Sequence, residues 1–221
     1  ICVTVQRPPG LTAQNATACL ALTFVNDATG VCRTRTSTLR ADNTDWQGFA
    51  DDLLAEGVGV AGMTCLVLGT GGSARAVVHA LAALGAAEIT LVSRAPHLQA
   101  GGGALADCSL ATYDDLALLA PAADLIVNCT PVGMFPHADE SPWPEGVPFP
   151  SGTVLYDLVY NPPVTRLMRQ AEAAGVRALG GLGMLICQGA LSFAQWVGIA
   201  PPLVIMEGAA QAALYGSTHE R

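Results

Sequence analysis

The sequence predicts an α/β protein with a doubly wound parallel sheet. Three observations carry that reading. Apolar runs of strand length alternate with segments of helical periodicity. The first clear strand runs directly into a glycine-rich turn that opens a helix. Hydrophobic residues make up 51% of the 221 positions, enough to bury a sizeable core.

Residues 1–42 are rich in Thr and Ala and poorly patterned. They open on an alternating, strand-like run, Ile1-Cys2-Val3-Thr4-Val5, which stops at Gln6-Arg7-Pro8-Pro9. The run starts in mid-element and without a methionine, so the sequence reads as N-terminally truncated. From Asn43 the signals sharpen. Trp46, Phe49, Ala50, Leu53 and Leu54 recur at helical spacing, and Gly57 ends the run. Thr64–Leu68 is a strand, followed by a helix to about Leu84 that stops at Gly85. Glu88–Val92, Asp124–Asn128 and Thr153–Asp157 read as further strands. A proline-started helix is expected from about Pro163 to Ala174, another from about Gly183 to Val197, and a last from about Pro202 to Leu214. Residues 136–150, PHADESPWPEGVPFP, form a proline-rich loop.

The net charge of −8 argues against nucleic acid or an anionic membrane as a partner, so an anionic ligand needs a local cluster of donors. All ten basic residues are arginines. The absence of lysine excludes a lysine base, a Schiff base and a P-loop lysine. Seven scattered cysteines without a CxxC pair read as reduced thiols of a cytoplasmic protein, with no metal site. The uncharged stretch from Ala178 to Met206 is interrupted by Gly180, Gly181, Gly183, Pro201 and Pro202, and reads as buried helix rather than bilayer helix.

Gly69-Thr70-Gly71-Gly72-Ser73-Ala74 fits G-x-G-x-x-[G/A] between a strand and a helix, the context a dinucleotide loop requires. Gly69 permits the tight turn and Gly71 lets a pyrophosphate approach the main chain. Ala74 lets the helix pack on the sheet, and the helix N-terminus presents N–H groups to the phosphates. The alternative is a glycine-rich turn without a ligand. At the end of the second strand stand Ser93 and Arg94, with no acid before Asp107. An acid there would serve the ribose hydroxyls of NAD; Arg94 suits the 2′-phosphate of NADP instead, or is a solvated surface arginine.

Several motifs in this order resemble the shikimate dehydrogenase family, over roughly Asp42 to Gly198. They are DNTDWQGF, LGTGGSARA, SRA, NCTPVGM at 128–134, YDLVYNPPVTRLMRQAEAAG and GGLGMLICQGALSFAQWVG. The resemblance implies a Rossmann-like NADP-binding domain beside an α/β substrate domain, and NADPH-dependent reduction of 3-dehydroshikimate to shikimate in aromatic amino acid biosynthesis. It implies Asp45 as the catalytic residue. It puts Asp45, Tyr160 and Gln188 at the substrate, and Gly69, Thr70, Gly71, Gly72, Ser73, Ser93, Arg94, Leu158 and Gly181 at the cofactor. The expected division is 1–57 as the remnant of a substrate domain, 58–198 as the NADP-binding domain, and 199–221 as a C-terminal helix packing back on the junction. The expected partners are a small-molecule substrate, 3-dehydroshikimate or shikimate, and possible second copies in a homodimer, with no nucleic acid and no membrane.

Local readings stand beside these assignments. Asp45 reads equally as a helix N-cap. Gln188 interrupts the apolar face of Met184 and Leu191 and must find hydrogen-bond partners in protein, water or ligand. Tyr160 stands at a strand-to-helix turn, where ligands bind open α/β sheets, or is structural. Trp46 reads as helix core.

The family's N-V-T-x-P-x-K segment has no match. Its lysine pairs with the NTD aspartate, and a cation or acid is needed where negative charge builds on the carbonyl oxygen. Here Val3-Thr4-Val5 is followed by Gln6 and by Pro8 in the lysine's place, with Arg7 one position early. Arginine stays charged and cannot readily give up a proton. The family's A-V-N-T segment is echoed at most by LTFVNDATG, with Leu22 for its asparagine. Turnover is therefore expected to be severely reduced or absent. The alternatives are divergent chemistry, a non-catalytic NADP-binding or regulatory protein, a frame shift over residues 6–40, and a quinate/shikimate dehydrogenase using NAD.

Overall fold

The computed structural model describes residues 43–95, 105 and 107–216. The strand-like opening Ile1–Val5, Arg7, and the 6–40 stretch with its echo at 22–30 lie outside the described residues. The compact unit that begins at Thr44 is built on one six-stranded sheet. Its strands are β1 (Thr64–Leu68), β2 (Glu88–Val92), β3 (Ser109–Ala111), β4 (Leu125–Asn128), β5 (Val154–Asp157) and β6 (Arg177–Gly180). Their spatial order is β3-β2-β1-β4-β5-β6 and every pair is parallel. The chain thus runs outward from β1 in one direction, then returns to its other side with β4, leaving a switch point between β1 and β4.

The helices are α1 (Thr44–Ala55), α2 (Gly72–Ala83), α3 (Leu116–Leu119), α4 (Arg166–Ala173), α5 (Leu182–Val197) and α6 (Leu203–Tyr215). Alternation along the strands sends side chains to two cores. Cys65 and Val67 of β1, Leu125 and Val127 of β4, and Tyr156 of β5 join Phe49 and Leu53 of α1, Val77 and Leu81 of α2, and Met184 of α5. Leu66, Leu68, Ile126 and Leu155 face the opposite side, with Leu116 of α3, Leu167, Met168 and Ala171 of α4, and Trp143. Trp143 belongs to the proline-rich loop, where it stacks on Phe149 and donates its indole N–H to the Val147 carbonyl at 2.8 Å.

Three sequence expectations change. The strands β3 and β6 do not stand out in the sequence, because each lies at an edge of the sheet and lacks the unbroken apolar run that marks β4 and β5. Helix α4 starts at Arg166, not near Pro163, because Thr165 is its cap: the Thr165 hydroxyl accepts from the Met168 N–H at 3.2 Å. The 178–206 stretch is not uniformly buried. It divides into β6, α5 and the start of α6. Helix α5 buries only Met184, Ile186, Ala190 and Ser192, while α6 buries no residue. Among the described residues no helix is long and apolar enough to cross a membrane.

Candidate active site

The first part of the site is the turn between β1 and α2. Gly69 has φ +101°, and a Cβ there would stand 3.0 Å from Cγ2 of Thr130. Its N–H donates to the Val92 carbonyl at 2.8 Å, so the turn is bolted to β2 as well. Gly71 is the N-cap of α2, with nothing within 4 Å of where a Cβ would project. Gly72 and Ser73 are exposed in the first turn, Thr70 is half-buried, and Ala74 is fully buried against the sheet. The turn therefore presents an open main-chain face above a tightly packed helix start, and this is what a bound pyrophosphate needs.

Ser93 and Arg94 follow β2. The Ser93 hydroxyl accepts from the Ala95 N–H at 3.3 Å, and Arg94 projects into solvent. Burial pushes the Tyr113 phenol above its ordinary range, and the nearby Arg94 charge opposes that shift. Residues 93–95 contain no acid.

The second part lies at the ends of β4 and β5. Asn128 and Asp157 are fully buried at the last positions of their strands. The Asn128 amide donates to Asp157 Oδ1 at 2.9 Å, and its carbonyl accepts from the Thr130 N–H at 3.0 Å and the Thr130 hydroxyl at 2.7 Å. Asp157 also accepts from the Val159 N–H at 3.1 Å and the Thr165 hydroxyl at 2.6 Å. Burial raises the Asp157 pKa, while these three donors pull it back down. This network fixes the loops after both strands. Leu158 donates its N–H to the Asn128 carbonyl at 3.0 Å, and Phe135 donates to the Asn161 carbonyl at 3.0 Å. Gly181 closes on the same place: a Cβ there would come within 2.9 Å of Leu158 Cα and nearer still to its carbonyl. The half-buried Tyr160 follows, its carbonyl accepting from the Tyr215 hydroxyl at 2.5 Å.

The third part is the seam between α1 and α5, which run antiparallel. Thr44 faces Ser192, with their hydroxyls 3.0 Å apart. Gly48 faces Gln188, where a Cβ would stand 2.6 Å from the Gln188 nitrogen. Asp52 faces Gly183, where a Cβ would stand 2.6 Å from Asp52 Oδ2. Glycines at both crossings let the helix backbones approach closely. The Gln188 amide donates to the Leu185 carbonyl at 3.1 Å and accepts from the Thr44 hydroxyl at 3.4 Å. Among the described residues these bonds use one N–H and one acceptor position of the amide, which has two of each. Asp45 lies in the first turn of α1, not at its cap, since the helix begins at Thr44. Half-burial without a full hydration shell raises its pKa. Trp46 packs on the core and meets the His79 ring edge-on at 4.9 Å, as its helical spacing predicted.

Gly69–Ser73 follow β1, Leu158 follows β5 and Gly181 follows the edge strand β6, all at carboxyl ends of the parallel sheet, and Gly181 lies against Leu158. Gln188 of α5 lies against Gly48 and Thr44 of α1, Asp45 stands beside Thr44 in the first turn of α1, and Ser93 and Arg94 follow β2. The partners that sequence reasoning did not single out are Asn128, Asp157, Thr165, Asp52 and Tyr156. Their available signal was a polar residue closing an apolar strand, and a tyrosine or aspartate on an apolar face.

An all-parallel sheet in this order, with a glycine turn at its switch point, defines the dinucleotide-binding α/β class. Residues 181–211 match the model of the shikimate 5′-dehydrogenase C-terminal domain. The shikimate dehydrogenase (NADP(+)) of Moorella thermoacetica is 37% identical over 188 residues, covering 81% of this chain and 63% of the relative. That of Methanothermobacter thermautotrophicus is 39% identical over 178 residues, covering 78% and 62%. The crystal structure of shikimate 5-dehydrogenase from Thermus thermophilus, solved in complex with NADP(H) and shikimate, superposes with a TM-score of 0.68 at 37% identity, covering 78% of this chain and 63% of that one. Over these residues the chain is similar to members of the shikimate dehydrogenase family. It spans somewhat under two thirds of the length of these relatives.

Proposed function

We propose that this chain binds NADP and carries the NADPH-dependent reduction of 3-dehydroshikimate to shikimate, a step of aromatic amino acid biosynthesis, at a rate lowered by its want of a lysine. The observation that supports this best is the close packing of α1 on α5. Asp45 and Gln188, groups suited to a polyhydroxylated ring, stand on two helices that pack over the sheet bearing the dinucleotide turn. The residues fit NADP: Gly71 leaves open space, Ser73 is exposed beside it, and Arg94 is an exposed cation where NAD sites carry an acid. We read 58–198 as the cofactor domain and α1, within 1–57, as the part of the substrate domain that docks on it. Residues 199–221 are read as returning to that junction.

In this reading the amides of Gly71 to Ser73 hold the pyrophosphate and Arg94 holds the 2′-phosphate. Ser93 shapes the turn that carries Arg94, with Gly69 and Thr70 setting the loop. Leu158 and Gly181 offer main chain to the nicotinamide end. NADPH, when bound, supplies the hydride. Asp45 retains a proton to higher pH than an exposed aspartate, and as the carbonyl oxygen gains charge it transfers that proton to it. Tyr160 and Gln188 orient the substrate hydroxyls. With no lysine to share the oxyanion, turnover is expected to be about a hundred- to ten-thousand-fold below that of an intact site.

Shikimate oxidation coupled to NADP⁺ tests both parts. Slow, shikimate-dependent NADPH formation is expected, and ordinary enzyme rates would contradict the lowered turnover. The missing lysine favours one second reading, an NADP-binding protein without turnover; tight NADP binding with no NADPH formed identifies it. Preference for NAD and quinate would replace the first reading. We further expect a cytoplasmic homodimer, which sedimentation of the purified chain checks as to its oligomeric state.

A further inference from the structure

Asp52 and Tyr156 form a buried pair that none of the proposed binding or proton-transfer roles uses. Tyr156 is fully buried on β5 and Asp52 is 9% exposed on α1. The Tyr156 hydroxyl donates to Asp52 Oδ2 at 2.5 Å and accepts from the Met184 N–H in the first turn of α5. The Asp52 carboxylate lies against Gly183, in that same turn. One hydrogen-bonded group therefore joins α1, β5 and α5. The Tyr156 ring also meets Phe49 of α1 edge-on, with centroids 4.9 Å apart.

The location gives this junction a consequence. Asp45, Gly48 and Asp52 succeed one another along one side of α1, two turns in all. Gln188 lies against Gly48, between the Thr44–Ser192 contact and the Asp52–Gly183 contact. The relative setting of Asp45 and Gln188 is thus the setting of α1 against α5. The Thr44–Ser192 contact fixes one end and Asp52 the other. Tyr156 ties the second end to the strand whose next residue, Asp157, holds the Asn128 and Thr165 loops.

We propose that Asp52 and Tyr156 are positioning residues: they set the α1–α5 register, and so the spacing of Asp45 and Gln188 for a polyhydroxylated substrate, without touching it. This rests on the functional reading above.

The test measures shikimate and NADP affinity by calorimetry, with thermal unfolding alongside, for the unaltered chain, Tyr156→Phe and Asp52→Asn. Tyr156→Phe removes only the hydroxyl, and with it the bonds to Asp52 and from Met184, so the α1–α5 setting loosens and we expect shikimate affinity to fall about tenfold. NADP affinity should change less than about twofold, because the β1–α2 turn does not depend on this pair. Asp52→Asn keeps an oxygen that accepts from Tyr156, and should hold shikimate affinity within about threefold of the unaltered chain. Equal weakening of both ligands, following the fall in melting temperature, would mean a merely structural role and overturn the proposal. So would an unmoved shikimate affinity in Tyr156→Phe. If the unaltered chain binds NADP but not shikimate, the functional reading fails at the substrate and the positioning role fails with it; the first measurement separates that case from the others.

Discussion

Arg94 is the residue whose loss should be easiest to read. Arg94→Ala removes the cation at the end of β2, and NADP affinity should fall about ten- to a hundredfold with NAD affinity nearly unchanged; titration of both cofactors checks this. Asp45 carries a prediction of sign. Burial raises its pKa above 3.8, so its protonated form persists to higher pH. In the proposed reaction Asp45 gives up that proton, so ketone reduction should slow as pH rises through the raised pKa, and shikimate oxidation, which would use the carboxylate, should speed up over the same range. Asp45→Asn should abolish both slopes and lower the residual rate about a hundredfold or more, measured as kcat/KM in each direction. Asp157 is different, because three donors converge on its carboxylate. Asp157→Asn turns an N–H₂ toward at least one of them, and should destabilise the chain by about 1–3 kcal/mol in urea unfolding.

At the scale of elements, the close approaches decide. Gly181→Ala would drive a methyl into the Leu158 main chain, and Gly48→Ala would drive one into the Gln188 backbone. Backbone cannot move aside as a flexible side chain does, so each should cost about 3 kcal/mol, seen as a lower urea midpoint. The same elements explain what the sequence made visible. Strands β1 (TCLVL) and β2 (EITLV) are apolar-rich runs of strand length that end at a glycine and a serine turn, and their limits are those expected from pattern alone. Edge strands β3 (SLA) and β6 (RALG) lack the unbroken apolar run that marks β4 and β5. The start of α4 was misplaced because a proline at 163 is a general signal, whereas Thr165 is a cap only through its contact with Met168. The dinucleotide turn was legible because its glycines serve local needs. The α1–α5 seam was not, because each of its glycines answers to a side chain far away in sequence.

For the whole molecule, the balance between a net charge of −8 and an anionic cofactor matters. Binding must come from local donors, so NADP should act as a stabilising ligand of the unit that begins at Thr44. At a hundred times its Kd the gain is about 2.7 kcal/mol, which corresponds to a rise in melting temperature of roughly 5–10 °C. Differential scanning calorimetry with and without NADP measures it, and an unshifted transition at saturating NADP would count against the cofactor reading. Composition made the anionic-ligand problem visible from the start, and the double core follows from strand alternation. The order of the sheet could not be read the same way, because parallel neighbours are chosen by packing and not by any single strand's residues.

The reciprocal glycines between α1 and α5 also constrain how this protein can evolve. Gly48 makes room for Gln188, and Gly183 makes room for Asp52. Each glycine sits on the helix opposite the side chain it accommodates. A larger residue on either helix is tolerable only after its counterpart has become smaller, so drift in the two segments is coupled. Selection would meet that coupling as epistasis, with viable paths through paired changes and few single steps between them.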